Sequence, residues 1–280
     1  MRYGFVIPGG DARLSADLAA EAEAAGWDGV FVPDGIYIEN FPLYDPWVVL
    51  AAMAMRTERV RLGTMLTPIA RRRPWKLARE TMTLDRLSNG RLILAVGLGT
   101  LDDGGFTKVG EPTERKVRAQ RLDEGLEILA GLWSGQPFAY QGEQYNVEEM
   151  IFSPPPIQQP RIPIWVVGAW PKQRSMARAA RWDGLLPYKP SDGNPFGAEL
   201  TPADIREMRA FIDAQRQATT PYDIVMEGST PGDDPAKGAE TIGPFVEAGI
   251  TWWLESMWTA AADSTDVLTR IRQGPPRVSQ

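Results

Sequence analysis

Eight short apolar runs, each followed by a longer stretch with helical spacing, constrain the fold of this chain more than any other feature. After the first run, Leu14, Leu18, Ala22 and Ala25 recur at spacings of four, four and three, which places them on one helix face. The same order repeats to the end of the chain. The predicted strands cover residues 3–7, 29–32, 60–66, 92–96, 164–168, 184–186, 222–226 and 250–254.

The order of these elements predicts an α/β fold, a (β/α)8 TIM barrel. Each crossover must return the chain to the same end of the sheet, so the strands are parallel, and eight such units close on themselves. Residues 137–163 break the rhythm and predict an insertion between the fourth and fifth strands. We expect residues 1–280 to form one domain. An open doubly wound sheet is the alternative, but residues 8–10 do not supply its GxGxxG motif.

The composition excludes several kinds of chemistry. The chain has no histidine and no cysteine, so disulfides, thiolate catalysis and histidine-based acid/base steps are ruled out, and we predict no metal site. A net charge of −6 argues against nucleic-acid binding. Residues 1–10 are typical of a strand and a turn rather than a secretion signal, and the longest apolar run, residues 47–55, is too short to span a membrane. A cytoplasmic enzyme is therefore expected.

Glycines mark the ends of two predicted strands on the face where barrels of this kind carry their active sites. Gly97 and Gly99 follow the fourth strand, and Gly168 ends the fifth. Glycine lets a flat ring approach the backbone closely. The alternative is that each glycine only serves a tight turn. Because the three lie at adjacent positions of the barrel, we predict that they line a cofactor site.

The segment after Gly168 predicts a phosphate site. A helix is expected over residues 171–182, and free amides at a helix N-terminus bind phosphate. Lys172 and Arg174 in the first turn would add to this attraction, although two such cations are also consistent with a solvated surface. The three arginines at residues 71–73 could likewise bind an anionic cofactor tail or an acidic substrate, or be solvated surface charges. The residues of the predicted phosphate segment are Gly168, Ala169, Trp170, Lys172 and Arg174.

Three carboxylates are expected at strand ends on the active face, and they are the candidates for acid/base chemistry. Glu255 ranks first because an aromatic wall around it would disfavour its charged form. A structural salt bridge is the alternative for this residue. Asp34 ranks second, and Glu227, which precedes Gly228, is expected only to end a strand. The aromatic residues near Glu255 are Trp252, Trp253 and Trp258.

An ordered set of short motifs resembles the central signature of the luciferase-like flavin oxidoreductases, and the resemblance covers essentially the whole chain. Each motif alone is weak, whereas the ordered set is specific. The motifs are RLGT at 61–64, Pro68, RP at 73–74, LA at 77–78, LDRLSNGR at 84–91, GLG at 97–99, GE at 110–111, RLDEG at 121–125, PPP at 154–156, PI at 163–164 and WDG at 182–184.

The resemblance implies a homodimeric barrel that binds FMN or the related deazaflavin coenzyme. The ring would lie over the ends of the third and fourth strands, and the phosphate would lie near the start of the helix after the fifth. A non-proline cis peptide is implied near residues 65–66. Many relatives carry an Asp–His pair after the second strand, where this chain has Asp34 and Gly35. The cofactor-binding residues implied are Thr64, Met65, Gly97, Gly99, Gly168, Ala169, Trp170 and Arg174.

These observations predict an oxidoreductase in which the cofactor performs the chemistry and the protein orients a small organic substrate. Our main prediction is an FMN-dependent monooxygenase or reductase. Reduced FMN could come from a separate flavin reductase, because no NAD fingerprint is visible. The first alternative is a deazaflavin-dependent enzyme that transfers hydride. The second is a flavin-binding protein without turnover, which the absence of histidine would allow.

Overall fold

Eight parallel strands close into a barrel in the computed structural model, which describes residues 1–194 and 197–277. Pairing of Leu62 with Leu92 closes the ring between the third and fourth barrel strands. The predicted TIM barrel is thus confirmed. In chain order the strands are β1 (Arg2–Val6), β2 (Gly29–Val32), β3 (Arg61–Thr64), β4 (Thr67–Pro68), β5 (Leu92–Gly97), β6 (Phe138–Gln141), β7 (Asn146–Met150), β8 (Ile164–Ala169), β9 (Gly184–Tyr188), β10 (Asp223–Gly228) and β11 (Trp252–Ser256). All except β4, β6 and β7 form the ring.

Helices follow the barrel strands and cover the outside of the ring. Local signals set their ends. The Asp45 carboxylate accepts hydrogen bonds from two first-turn amides of the second helix, and Asn89 and Gly90 end the third with φ angles of 55° and 78°. No helix in the described ranges is long and apolar enough to cross a membrane. The helices are α1 (Ala12–Ala24), α2 (Pro46–Arg56), α3 (Pro74–Leu87), α4 (Gly104–Thr107), α5 (Arg115–Trp133), α6 (Gln173–Ala180), α7 (Pro202–Gln215), α8 (Pro235–Ala248) and α9 (Thr265–Arg272).

The predicted insertion between the fourth and fifth barrel strands is an antiparallel hairpin of β6 and β7 followed by an extended strap. Two buried carboxylates on the helices hold it. Glu124 on α5 accepts hydrogen bonds from the amides of residues 143–145 in the hairpin turn. Asp85 on α3 accepts from the Ile157 and Gln158 amides of the strap, at 2.7 and 3.1 Å. The insertion therefore packs on the helix layer and leaves the barrel mouth to other segments.

Three aromatic rings fill the amino-terminal half of the barrel, and we call them the aromatic floor: Phe31, Trp165 and Trp252. Their centroids lie 5.2 to 6.2 Å apart, within the range of favourable ring contacts. Glycines on four strands of the ring, three of them adjacent, make room for these rings. A Cβ on Gly63, for example, would lie 3.0 Å from the Phe31 ring and 2.5 Å from a backbone oxygen. The inward-facing glycines are Gly4, Gly29, Gly63 and Gly184.

Candidate functional site

The barrel mouth, at the carboxyl ends of the strands, presents half-buried apolar side chains above the aromatic floor. Met65, Leu66 and Val167 pack against the inner core of the barrel and retain exposed surface. The peptide bond between Met65 and Leu66 is cis, as the resemblance implied. A Cβ on Gly97 would lie 3.0 Å from Val167 and 3.1 Å from Leu66. The absence of a side chain at Gly97 therefore lets these two apolar side chains pack directly on the backbone in the mouth.

The other two predicted cofactor glycines have different structural reasons for being glycine. Gly168 faces the helix layer, where a Cβ would lie 2.8 Å from the Met176 sulfur and still closer to Leu185. Gly99 has a φ of +74° and packs closely on Pro68. Close helix packing and a turn explain these two positions. Only Gly97 directs its missing side chain into the mouth.

The remaining residues predicted near the ring and phosphate divide between the mouth and its surroundings. Thr64 is fully buried, and its hydroxyl lies 2.8 Å from that of Thr67 across the cis peptide. Ala169 lies two residues beyond the inward-facing Val167 and so shares its face. The Trp170 ring packs edge-on against Phe211 of α7, at 6.1 Å. Thr64 and Trp170 thus support the mouth from outside.

The start of α6 has the features of an anion site. Lys172 is the N-cap residue and makes no capping hydrogen bond with its side chain, and Arg174 is exposed in the first turn. The helix begins two residues later than the predicted residue 171. The hydroxyl of Ser175 turns back to accept from the Ala169 amide at 2.9 Å, which fixes the strand end against the helix. First-turn amides without a side-chain cap, flanked by two cations, can bind a phosphate.

Asp34 lies in a buried group of alternating charges that we call the arginine–aspartate cluster: Asp34, Arg71, Arg72 and Asp103. Arg72 binds both oxygens of Asp34, at 2.5 and 3.1 Å. Arg71 bridges Asp34 and Asp103. Burial lowers the pKa of Arg71, and the charge of Asp34 opposes that shift. The Asp34 side chain has no exposed surface, so the geometry argues against the acid/base role that we predicted for it.

The arginine–aspartate cluster ties two loops of the active face together. Asp103 accepts hydrogen bonds from the amides of Ile36 and Tyr37 in the β2–α2 loop and caps α4 through the Gly105 amide. Arg71 and Arg72 are thus structural, in contrast to the anion-binding alternative for the arginine run. Sequence reasoning missed Asp103, because an aspartate directly before two glycines is as typical of a turn as of a helix start.

Glu255 faces the helix layer and has no exposed surface. One carboxylate oxygen accepts from the Thr230 amide at 2.7 Å, and the other from the Thr230 hydroxyl at 2.8 Å and the Trp253 indole at 3.1 Å. Arg270 of α9 completes the group with an ion pair of 3.3 Å. These contacts correspond to the salt-bridge alternative that the sequence left open. The geometry therefore argues against the catalytic role predicted for Glu255.

Glu227 is the candidate carboxylate that lies in the barrel mouth. It follows the inward-facing Val225 by two residues on β10, so its side chain points to the same side. The indole of Trp258 donates to its carboxylate. Burial raises the pKa of Glu227, and hydrogen bonds from Trp258 and Ser256 partly oppose the shift. In the described ranges, no three carboxylates come together in a way that could hold a metal ion.

The sequence matches a known family over most of its length. Residues 6–230 match the family described as luciferase-like monooxygenase. An F420-dependent glucose-6-phosphate dehydrogenase from Nakamurella multipartita is 33% identical over an alignment of 223 residues that covers 72% of this chain and 64% of that protein. The chain thus spans less than two thirds of the length of this relative.

Solved structures share the fold at low sequence identity. An F420-dependent secondary alcohol dehydrogenase in complex with an F420–acetone adduct has a TM-score of 0.78 at 18% identity, covering 97% of this chain and 96% of that one. The coenzyme F420-dependent tetrahydromethanopterin reductase from Methanopyrus kandleri has a TM-score of 0.75 at 17% identity, with the same coverage of both chains. At these identities the likeness extends to the fold alone, a barrel of the same overall shape.

Proposed function

This chain belongs to the luciferase-like monooxygenase family, and we propose that it is an oxidoreductase that uses a deazaflavin coenzyme to transfer hydride. The observation that carries the proposal is the 33% identity to a relative named for F420 dependence. Our main prediction from the sequence, FMN, is not confirmed. The similarities support its alternative better, and the family membership supports the coarser statement that the chain is an oxidoreductase.

The residues present fit a coenzyme of this class. The partly exposed apolar side chains of Leu66 and Val167, which pack at Gly97, suit contact with the face of a flat ring. The first turn of α6, with Lys172 and Arg174, suits its phosphate. When bound, such a coenzyme supplies or accepts a hydride at its ring. The barrel would hold that ring above the aromatic floor and restrict water around the reacting atoms.

The substrate is proposed to be a small alcohol or the corresponding carbonyl compound. The names of the relatives support this class, since one acts on glucose 6-phosphate and another on secondary alcohols. We also propose that the chain forms a single domain and assembles as a homodimer. Helix α2 buries most of its apolar side chains, but Val48 and Met55, 63% and 73% exposed, leave an apolar stripe for a second copy.

An equilibrium titration tests the coenzyme assignment. We expect coenzyme F420 to bind in the micromolar range or tighter, corresponding to about −8 kcal/mol or better, and FMN to bind more weakly. Fluorescence or absorbance of the ligand gives both isotherms. Tight binding of FMN alone, with catalysis of oxygen insertion when a flavin reductase is added, would favour the FMN prediction. Binding without turnover of any alcohol would favour the non-catalytic alternative, and binding of neither ligand contradicts the cofactor site.

Replacing Arg174 with alanine is expected to weaken coenzyme binding by about 1.5–3 kcal/mol, the range for a hydrogen bond to a charged group. A deazaflavin that carries the ribityl chain without phosphate should lose much less. Arg206→Ala, which removes an exposed arginine from α7, is the matched control and should leave both affinities unchanged. Equal losses for the two ligands in Arg174→Ala would argue that this side chain does not contact the phosphate.

A further inference from the structure

We propose that Glu227 is the proton donor and acceptor of this histidine-free site. The inference rests on the proposed function, because hydride transfer to a carbonyl carbon, or from the carbon of an alcohol, needs a partner for the proton. It deepens that function by assigning the proton to one carboxylate. The names of the relatives do not say which residue exchanges the proton.

The first step of the argument is position. Glu227 lies near the carboxyl end of β10, level with Leu254 of β11, and points into the barrel mouth. It is half-buried, so it borders the open space rather than the sealed core. A Cβ added to the neighbouring Gly228 would lie 2.6 Å or less from the Trp253 ring. Gly228 therefore faces the opposite side of the strand from Glu227. A substrate above the aromatic floor would therefore meet the carboxylate of Glu227.

The second step is elimination among the strand-end carboxylates. Asp34 is bound by two arginines, and Glu255 is bound by Arg270 and Thr230. In the described part of the chain, no lysine or arginine forms an ion pair with Glu227. Its hydrogen-bond donors are neutral, the Trp258 indole and the Ser256 hydroxyl. Glu227 can therefore gain or lose a proton without breaking a salt bridge.

The third step is the surroundings of the carboxylate. Tyr188 ends the flanking strand β9, and Glu255 on the other flanking strand faces the helix layer. The causes that shift the pKa of Glu227 are burial and two hydrogen bonds, with no contribution from a neighbouring charge. Because burial raises the pKa of this group, the neutral acid persists to higher pH than in water. A raised pKa brings the group closer to the range in which a carboxylic acid can donate a proton.

The proton step can be written for a carbonyl substrate and a reduced deazaflavin. Hydride enters the carbonyl carbon with both electrons of the new C–H bond, and the π pair of the C=O bond moves to oxygen. That oxygen takes the proton from Glu227, so the products are an alcohol and a Glu227 carboxylate. In the oxidative direction, the alcohol O–H gives its proton to the carboxylate, the O–H pair forms the C=O bond, and the C–H pair leaves as hydride, for which the oxidised coenzyme would be the acceptor. The Trp258 indole and the Ser256 hydroxyl stabilise the carboxylate form.

The test compares Glu227→Gln with Glu247→Gln, which changes an exposed glutamate on α8. The first measurement is the infrared spectrum of the purified protein as a function of pH. We expect the carbonyl band of neutral carboxylic acids to persist to higher pH in the wild type and in Glu247→Gln than in Glu227→Gln. A band whose pH dependence Glu227→Gln leaves unchanged overturns the proposal whether or not the coenzyme binds.

The second measurement is turnover of 2-propanol and glucose 6-phosphate with coenzyme F420 as a function of pH. Glu227→Gln should lower the rate by about 10²-fold or more and remove the pH dependence, with coenzyme affinity retained. Normal turnover with normal affinity overturns the proposal. Failure of the wild type to bind the coenzyme counts against the proposed function instead.

A third measurement, the pH dependence of stability, keeps the proposal falsifiable if neither alcohol reacts. The folded pKa of Glu227 lies above its ordinary value of 4.5. Between 4.5 and the folded pKa, rising pH ionises Glu227 in the unfolded state before it does so in the folded state. This difference destabilises the wild type relative to Glu227→Gln. The variant should therefore gain relative stability as pH rises through this window and keep a constant gain above it. An equal pH dependence in both proteins overturns the proposal.

Discussion

Glu255→Ala is expected to lower the free energy of unfolding by about 3–5 kcal/mol, the cost of removing one partner of a buried ion pair. The substitution leaves Arg270 without its carboxylate, and it leaves the Thr230 amide, the Thr230 hydroxyl and the Trp253 indole without their acceptor. Urea unfolding measures the loss. Glu255→Gln should lose less, because the amide oxygen still accepts one of these hydrogen bonds.

The same pair of variants separates a structural from a chemical role for Glu255. Folded Glu255→Gln should bind coenzyme F420 like the wild type and turn over at a similar rate. If Glu255→Gln were instead fully stable but inactive, the catalytic role that the sequence suggested would regain support, and the Glu227 assignment would be in doubt.

Arg71→Met is the second substitution with a large expected effect, again about 3–5 kcal/mol of unfolding free energy. Arg71 is the guanidinium that joins Asp34 to Asp103, and its side chain is 2% exposed. Without it, Asp103 keeps only backbone donors, and the β2–α2 loop loses its charged link to the segment around α4. Arg73→Met is the matched control, because this neighbour is exposed. It should change stability by no more than about 0.5 kcal/mol.

A loop-specific measurement accompanies the stability comparison for Arg71→Met. Native-state proteolysis should cut the β2–α2 loop, residues 33–45, faster in this variant than in the wild type, because the amides of Ile36 and Tyr37 are anchored through Asp103. Unchanged stability and unchanged cleavage would mean that the arginine–aspartate cluster contributes little to holding the two loops together.

The fold could be predicted from the sequence because its signals are local. Strand runs, helix spacing and end signals such as Asp45 and Asn89 each depend on a few neighbouring residues, and the repeat of eight then leaves few topologies. The insertion was visible as a break in that rhythm. The short helix α4 was missed, since four residues carry no periodic pattern.

The site was harder to predict because it depends on which of the alternating side chains of each strand face the inside of the barrel. In β11, Trp252 and Trp253 are both apolar, so the pattern does not reveal which of them faces inward. The structure places Trp252 in the aromatic floor, which turns Glu255 outward to Arg270. In β10 the phase that puts Val225 inward brings Glu227 into the mouth. Placing the three carboxylates relative to the mouth would have required this register, which only the closed barrel defines.

The aromatic floor affects the order in which the coenzyme and the substrate bind and leave. Because Phe31, Trp165 and Trp252 close the barrel below the mouth, the proposed coenzyme, its substrate and the proton proposed for Glu227 would share a single entrance. A coenzyme ring held near Gly97 would lie below the substrate, and a bound substrate would then block its departure. The kinetics should therefore be ordered, with the coenzyme first to arrive and last to leave, and a dead-end alcohol analogue should slow coenzyme dissociation.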